Sequence, residues 1–194
     1  MTGDSSPLYL VPDPPPPVPV LLAPGQTALV VIDINEALCG SRPSCMDTLP
    51  RISSLLAGAR THEVLVIHTE GGREPTVFLD PAQPGPGEPV IRARADKFHE
   101  SRLESTLRQA GVTTLLLVGT AANGAIMYTA FAANLRGYTV AVAVDGISAE
   151  LDATKRFVQW QLVNQPGFMN AENAPLARER VTLTRTDLIT YSAP

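Results

Sequence analysis

Two charged residues of this chain, Asp33 and Lys97, are the first candidates for chemistry. Asp33 comes directly after the apolar run Val30–Ile32, and Lys97 follows a proline-rich loop. A carboxylate at the end of a buried strand is only partly hydrated, so its pKa can rise toward the range that proton transfer needs. Asp33 is therefore a candidate proton donor or base, although the same position suits a helix cap or a loop anchor. Lys97, taken by itself, reads as a solvated loop lysine.

A turn of small residues, Gly119–Ala125, is the third feature that could do chemistry. It follows the apolar run Thr114–Val118 and opens a second apolar run, which predicts a strand, a tight turn and a helix. Such a turn aims backbone N–H groups at an anion or an oxyanion above the helix N-terminus. In many hydrolases of this layout the first helical residue is a nucleophile, but Ala125 has no nucleophilic atom. The alternative interpretation is that the turn is only a tight connection between strand and helix and binds no ligand. The predicted substrate-binding residues are Ala121, Asn123, Gly124 and Ala125.

The histidines and cysteines add weaker candidates. His62, His68 and His99 lack the spacing of metal ligands, so we interpret His68 as a structural residue near the end of a strand. Two cysteines, Cys39 and Cys45, do not make a disulfide framework. Either could be a displaced nucleophile, but we expect ordinary loop thiols.

Composition limits the function classes. With 194 residues and 44% hydrophobic residues, the chain supports one sizeable core and hence one domain. A net charge of -4 without a basic patch argues against nucleic acid as a partner. No apolar run approaches the ~20 residues that span a bilayer, so we expect no membrane association. No signal peptide is recognisable, and the expected location is cytoplasmic.

The elements that must position these residues alternate along the chain. Residues 1–26 are rich in proline and predict an extended arm, which is either disordered or packed on a neighbouring subunit. Residues 27–194 form the predicted domain. Apolar strands alternating with helices imply a parallel sheet with helices on both faces, and ligands bind such sheets at the carboxyl ends of the strands. The predicted strands are 28–32, 64–67, 114–118, 139–144 and an edge strand at 181–184; the predicted helices are 47–60, 100–110, 125–136 and 151–164, and 71–89 is a predicted loop.

The order of Asp33, Lys97 and the Gly-Thr-Ala-Ala-Asn-Gly-Ala turn resembles the isochorismatase-like (cysteine hydrolase) family. The resemblance covers roughly residues 27 to 190. Val30 to Asp33 is similar to the first strand of the family with its acidic residue, and Lys97 to its lysine. The segment Arg136–Val140 is similar to the family's sequence after the nucleophile. The resemblance implies a three-layer α/β/α sandwich with a mostly parallel central sheet.

The turn departs from the family pattern at two positions. The family turn usually reads Gly-x-x-Thr-x-x-Cys, whereas Ala122 and Ala125 stand at the threonine and cysteine positions here. In the amidase branch, the resemblance implies an acid that deprotonates the thiol, a lysine that supports the charge, and two N–H groups that hold the oxyanion. By position these are the N–H groups of Ala121 and Ala125. The family often has a cis peptide where this chain has Thr120–Ala121.

Three explanations for Ala125 remain open at this stage. The chain belongs to a branch that works without a thiol, in which Asp33 is a general acid that cleaves a vinyl ether or a related bond. Alternatively, it is an amidohydrolase of an amide or urea-type substrate whose cysteine has been replaced, for instance by engineering to trap substrate. The third explanation is a non-catalytic protein that binds a small molecule.

The prediction taken forward is a hydrolase of a small metabolite, with Asp33 and Lys97 as catalytic residues and Ala125 in the nucleophile position. We expect no metal and no cofactor, because the His/Asp cluster of nicotinamidases has no counterpart in this sequence. The resemblance further implies a homodimer or a homotetramer.

Overall fold

The computed structural model describes residues 12–71 and 76–193, and its elements alternate as the sequence predicts. Two π-helical turns, Glu36–Gly40 and Ala122–Ile126, follow the ends of strands. The strands are β1 (Val20–Leu22), β2 (Thr27–Ile32), β3 (Leu65–Glu70), β4 (Val90–Arg92), β5 (Thr114–Thr120), β6 (Thr139–Ser148), β7 (Val181–Thr184) and β8 (Ile189–Tyr191); the helices are α1 (Pro43–Met46), α2 (Leu49–Thr61), α3 (Leu103–Gln109), α4 (Met127–Leu135) and α5 (Asp152–Val163).

Six parallel strands form the central sheet, in the order β4-β3-β2-β5-β6-β7. Strands buried on both faces are nearly continuous apolar runs, and every residue of β2 is buried. One apolar cluster joins the sheet to α2, and a second joins its other face to α3, α4 and α5. The three-layer α/β/α sandwich is therefore confirmed. The strand order reverses between β2 and β5, which is where ligands bind in such sheets.

Within the central sheet, β4 and β6 depart most from the prediction. β4 has three residues, too few for an apolar pattern, and it follows the predicted loop. β6 continues to Ser148 because its pairing with β5 shifts from Leu117–Val142 to Gly119–Ile147, so Asp145 lies within the strand instead of at its end. Asp145 accepts hydrogen bonds from the backbone N–H and the hydroxyl of Thr186. It therefore anchors a turn near the C-terminus of the domain.

The second half of the proline-rich segment packs on its own chain. Residues 1–11 of the predicted arm lie outside the described residues. Val18 donates a backbone hydrogen bond to Leu183 O (3.0 Å), and β1 pairs with β8 in a separate two-stranded sheet. Val20 and Leu22 point into the α2-side cluster. The folded domain therefore begins before residue 27.

The prediction of free loop thiols was wrong. Cys39 and Cys45 form a disulfide, and both residues are fully buried. The π-helical turn Glu36–Gly40 and α1 reverse the chain, so the two Cα atoms lie 5.4 Å apart, within the normal range for a disulfide. Spacing in the sequence does not reveal this reversal. Both cysteines are paired, so neither offers a free thiol in this structure.

Candidate active site

The backbone conformation of Asp33 turns the chain away from the direction of β2. Its φ is +55°, in the left-handed region that aspartate tolerates better than most residues. Its N–H donates to Thr69 O of the neighbouring strand (3.3 Å), and its carbonyl accepts from Asn35 N–H (3.0 Å). The backbone is thus fixed on both sides, and only 5% of the residue is exposed.

Lys97 forms a buried ion pair with Asp33. Its ammonium donates to both carboxylate oxygens, at 2.6 Å to Oδ2 and 2.8 Å to Oδ1, and it has no exposed surface. The Thr69 hydroxyl donates a third hydrogen bond to Oδ1 (2.9 Å). Lys97 is itself held by its N–H, which donates to the Thr129 hydroxyl of α4 (3.2 Å). Two residues 64 positions apart are therefore brought into one site, as the family resemblance implies.

The environment of Asp33 suits a proton donor. Burial raises the pKa of Asp33 above its ordinary value, and this effect outweighs the charge and hydrogen bonds of Lys97 and the hydrogen bond from Thr69. The negative charge of Glu70 raises the pKa of Asp33 further. Lys97 still stabilises the carboxylate that remains once a proton has been given away.

A cavity of about 520 Å³ opens onto this pair. Gly71 keeps the carboxylate accessible, because a Cβ at this position would lie 3.2 Å from Asp33 Oδ2. Arg94 lines the same cavity, as do Leu38, His99 and Glu100; Arg92 lines it too, but forms an ion pair with Glu70 (3.2 Å). Guanidinium groups recognise carboxylates and phosphates. The cavity therefore combines a proton donor with the guanidinium group of Arg94, which can bind an anion.

The small-residue turn begins beside Asp33. Ile32 pairs with Gly119, so the residues that follow them, Asp33 and Thr120, stand at neighbouring strand ends. Gly119 has φ +121°, and any Cβ there would collide with the carbonyl oxygen of Ile32. The Thr120–Ala121 peptide is cis, as the resemblance implies. The π-helical turn follows, and α4 begins at Met127, two residues later than predicted.

The other residues predicted for the site do not reach the Asp33 cavity. Ala121 and Asn123 line a second cavity of about 290 Å³. Ala125 is 6% exposed, packs in the apolar cluster beside α3–α5, and lines neither cavity. Gly124 has non-helical backbone angles and also lines neither. The structure thus brings Asp33 and Lys97 together, whereas the turn residues Thr120, Ala121 and Asn123 line the second cavity.

His68 has a structural setting, as its position predicts. Its Nε2 lies 2.9 Å from Glu88 Oε2, and Arg60 donates two hydrogen bonds to the same carboxylate. Burial lowers the pKa of His68, against the opposing effect of Glu88. Burial would raise the pKa of Glu88, but hydrogen bonds from Arg60, Gly85 N–H and His68 outweigh it and hold the pKa at about 2. This cluster fastens the loop before β4 to α2.

Sequence reasoning missed Thr69, Arg92 and Arg94 as site residues. Thr69 pairs in register with Ile32, so only knowledge of the strand register would place it beside Asp33. Among residues 12–71 and 76–193, no three His, Cys, Asp or Glu side chains converge as a metal-binding group. None of the helices in the same ranges is both long and apolar enough to cross a membrane.

The fold and site together define an α/β protein with an acid–lysine pair at the sheet's switch point. The chain belongs to the isochorismatase family, because the model of the isochorismatase domain matches residues 27–167. A streptothricin hydrolase from Streptomyces noursei is 31% identical over 132 residues, which cover 61% of this chain and 48% of the relative. A second protein of that name and organism is 29% identical over 162 residues, covering 70% and 64%. The matches thus span 48% and 64% of the lengths of these two relatives.

Solved structures agree with this fold. A cysteine hydrolase from Pseudomonas syringae pv. phaseolicola superposes with a TM-score of 0.74 at 20% identity, covering 89% of this chain and 94% of that one. An N-carbamoylsarcosine amidase from Thermoplasma acidophilum gives 0.70 at 21% identity, covering 84% and 97%. At these identities the likeness concerns the fold alone.

Proposed function

We propose that this chain is a hydrolase that cleaves a small, carboxylate-bearing substrate by protonating it from Asp33, without a thiol nucleophile. A vinyl ether is the bond that fits best. The observation that carries the proposal is the buried Asp33 carboxyl, held by Lys97 at 2.6 and 2.8 Å and facing a cavity of about 520 Å³. Arg94 on the same cavity favours an anionic substrate.

Cleavage of a vinyl ether needs one proton donor and one water molecule. The Asp33 carboxyl gives its proton to the terminal vinyl carbon, whose double-bond electrons form the new C–H bond. The carbon attached to the ether oxygen becomes cationic and is attacked by water, which returns a proton to the Asp33 carboxylate. The resulting hemiketal breaks its C–O bond to give a carbonyl compound and an alcohol.

Lys97 assists this sequence by stabilising charge. Negative charge develops on Asp33 as its proton leaves, and the fixed ammonium of Lys97 stabilises that charge more in the transition state than before it. The N–H groups of Ala121 and Ala125 have no part in this proposed step, because neither residue lines the Asp33 cavity.

Asp33→Asn tests the proposal. Asparagine keeps the shape and removes the proton donor, so turnover of an enolpyruvyl ether should fall by a factor of about 10² or more. Asp47→Asn, the same change on an exposed residue outside this cavity, should leave turnover intact. Because the protonated form is active, kcat/KM should decline as pH rises through the raised pKa of Asp33. Unchanged turnover in Asp33→Asn would overturn the assignment.

A cysteine hydrolase that has lost its thiol is the second candidate, favoured by the likeness to streptothricin hydrolase. Ala125→Cys should then create activity toward amides or ureas. Ala132→Cys is a matched control, because Ala132 lies on α4 and is also 6% exposed. Gain of amide hydrolysis in Ala125→Cys alone favours this candidate. If every variant binds a small molecule saturably but turns over neither ethers nor amides, the third explanation, a non-catalytic binding protein, is favoured.

A further inference from the structure

The second cavity shares no lining residue with the cavity at the Asp33–Lys97 pair. Thr120 and Ser148 pair in register at the carboxyl ends of β5 and β6, and both line this space of about 290 Å³. The second cavity is therefore treated as a separate candidate site.

Two buried hydroxyl groups at this cavity lack protein partners. Thr120 and Ser148 are each 3% exposed, and neither hydroxyl has a hydrogen-bond partner among residues 12–71 and 76–193. Thr184, by contrast, donates its hydroxyl hydrogen bond to a backbone carbonyl at 2.8 Å. The two unpartnered hydroxyls side by side at an open cavity leave donors for a ligand.

The remaining donors at this cavity come from the loop that carries Arg42 and from helix α5. Arg42 lines it, is exposed, and forms no ion pair within the described part of the chain. The Cys39–Cys45 disulfide closes the loop that carries Arg42 and limits how far it can move. Helix α5 presents its N-terminus here, with Thr154 in its first turn and no side-chain cap at Leu151. Free N–H groups at a helix N-terminus favour an anion.

We propose that this cavity binds the oxyanion group of a small molecule, a carboxylate or a phosphate. Arg42 supplies the charge, the hydroxyls of Thr120 and Ser148 donate hydrogen bonds, and the first turn of α5 adds backbone N–H groups. Glu150 lines the rim and opposes an anion, because it is exposed and carries the same charge. The site uses neither Asp33 nor Lys97.

Titrations of the full chain with inorganic phosphate and, separately, with malonate test this proposal and distinguish the two sources of the oxyanion. Amide resonances of Thr120, Ser148 and Thr154 should shift and saturate with the preferred probe. Arg42→Gln should weaken binding by a factor of about 10 or more, as for the loss of a charge-assisted hydrogen bond. Arg178→Gln removes the same charge from a side chain that is 91% exposed and should change nothing.

Three further variants separate this site from its alternatives. Ser148→Ala and Thr120→Val should each weaken binding roughly fivefold, and either serves if the other does not fold. Glu150→Gln should tighten binding, whereas weaker binding would point to a ligand carrying an ammonium group and overturn an oxyanion site. Asp33→Asn should leave binding unchanged, so failure here is independent of the proposed hydrolysis. Equal affinities for Arg42→Gln and Arg178→Gln, or no saturation with either probe, would refute the proposal.

Discussion

Replacement of Lys97 by methionine isolates the energetic role of the buried ion pair. Methionine fills much of the same volume. Within residues 12–71 and 76–193, it leaves the Asp33 carboxylate, which is 5% exposed, with the Thr69 hydroxyl as its one remaining side-chain donor. Breaking a buried pair by removing one partner costs about 3–5 kcal/mol. For a chain of this size that corresponds to a melting temperature lower by roughly 6–20 °C.

The pH dependence of this loss follows from the direction of the pKa shift. The pKa of Asp33 is already raised in the folded state, and it rises further once Lys97 is gone. A raised carboxyl pKa contributes stability that is complete below the unfolded value and is lost as pH rises through the folded value. As pH rises from the unfolded-state pKa of aspartate through the raised folded-state pKa, Lys97→Met should therefore lose more stability than the wild type does.

Urea denaturation followed by the fluorescence of Trp160 measures these differences at several pH values. Asp33→Asn/Lys97→Met is the matched control, because it removes both charges and should recover most of the lost stability. Two results would refute the reasoning: a double variant as unstable as Lys97→Met, or a deficit that does not change with pH. Either would mean that the deficit arises from packing and not from an uncompensated carboxylate.

Three other substitutions test residues that hold the structure around the site. Gly119→Ala should lower the free energy of unfolding by more than about 3 kcal/mol in urea denaturation, because the added Cβ would collide with Ile32 of β2. Gly25→Ala is the control: its added Cβ meets no atom within 4 Å, so it should be neutral or slightly stabilising. Equal effects of the two variants would contradict the close approach of Gly119 to β2. The double variant Cys39→Ser/Cys45→Ser should lose about 2 kcal/mol, measured against oxidised wild type, and a reductant should not change it further. Glu88→Gln should be destabilising at pH 7 in thermal melts, and the difference should vanish as pH falls toward 2, because the folded-state pKa of Glu88 is about 2.

The fold was predictable where apolar runs were long. β2, β5 and β7 are runs of buried residues, and their pattern specifies a strand without further information. β4 and β8 have three residues each, so no periodicity can develop. β1 depends on pairing with β8, which lies far along the chain, and local sequence carries no signal for that pairing.

The residues of the candidate site also differ in whether the local sequence predicts them. Asp33 could be recognised locally, since it follows a buried strand, whereas Lys97 became a candidate only through the family resemblance. Thr69 depends on strand register, and the disulfide depends on a chain reversal that spacing does not encode. Ala125 was predicted at the site by motif position, but its packing in the apolar cluster keeps it from lining the Asp33 cavity.

The charge pair is the part of this site that packing does not explain. A buried ion pair adds little net stability compared with apolar side chains of similar volume, because desolvation offsets the attraction between the charges. Asp33 and Lys97 nevertheless occupy an enclosed position at the switch point, below a cavity that exposes the carboxylate. Ionisable groups with shifted pKa values in such clefts are candidates for function. Since residue 125 supplies no nucleophile, Asp33 is the group through which chemistry at this cavity would proceed.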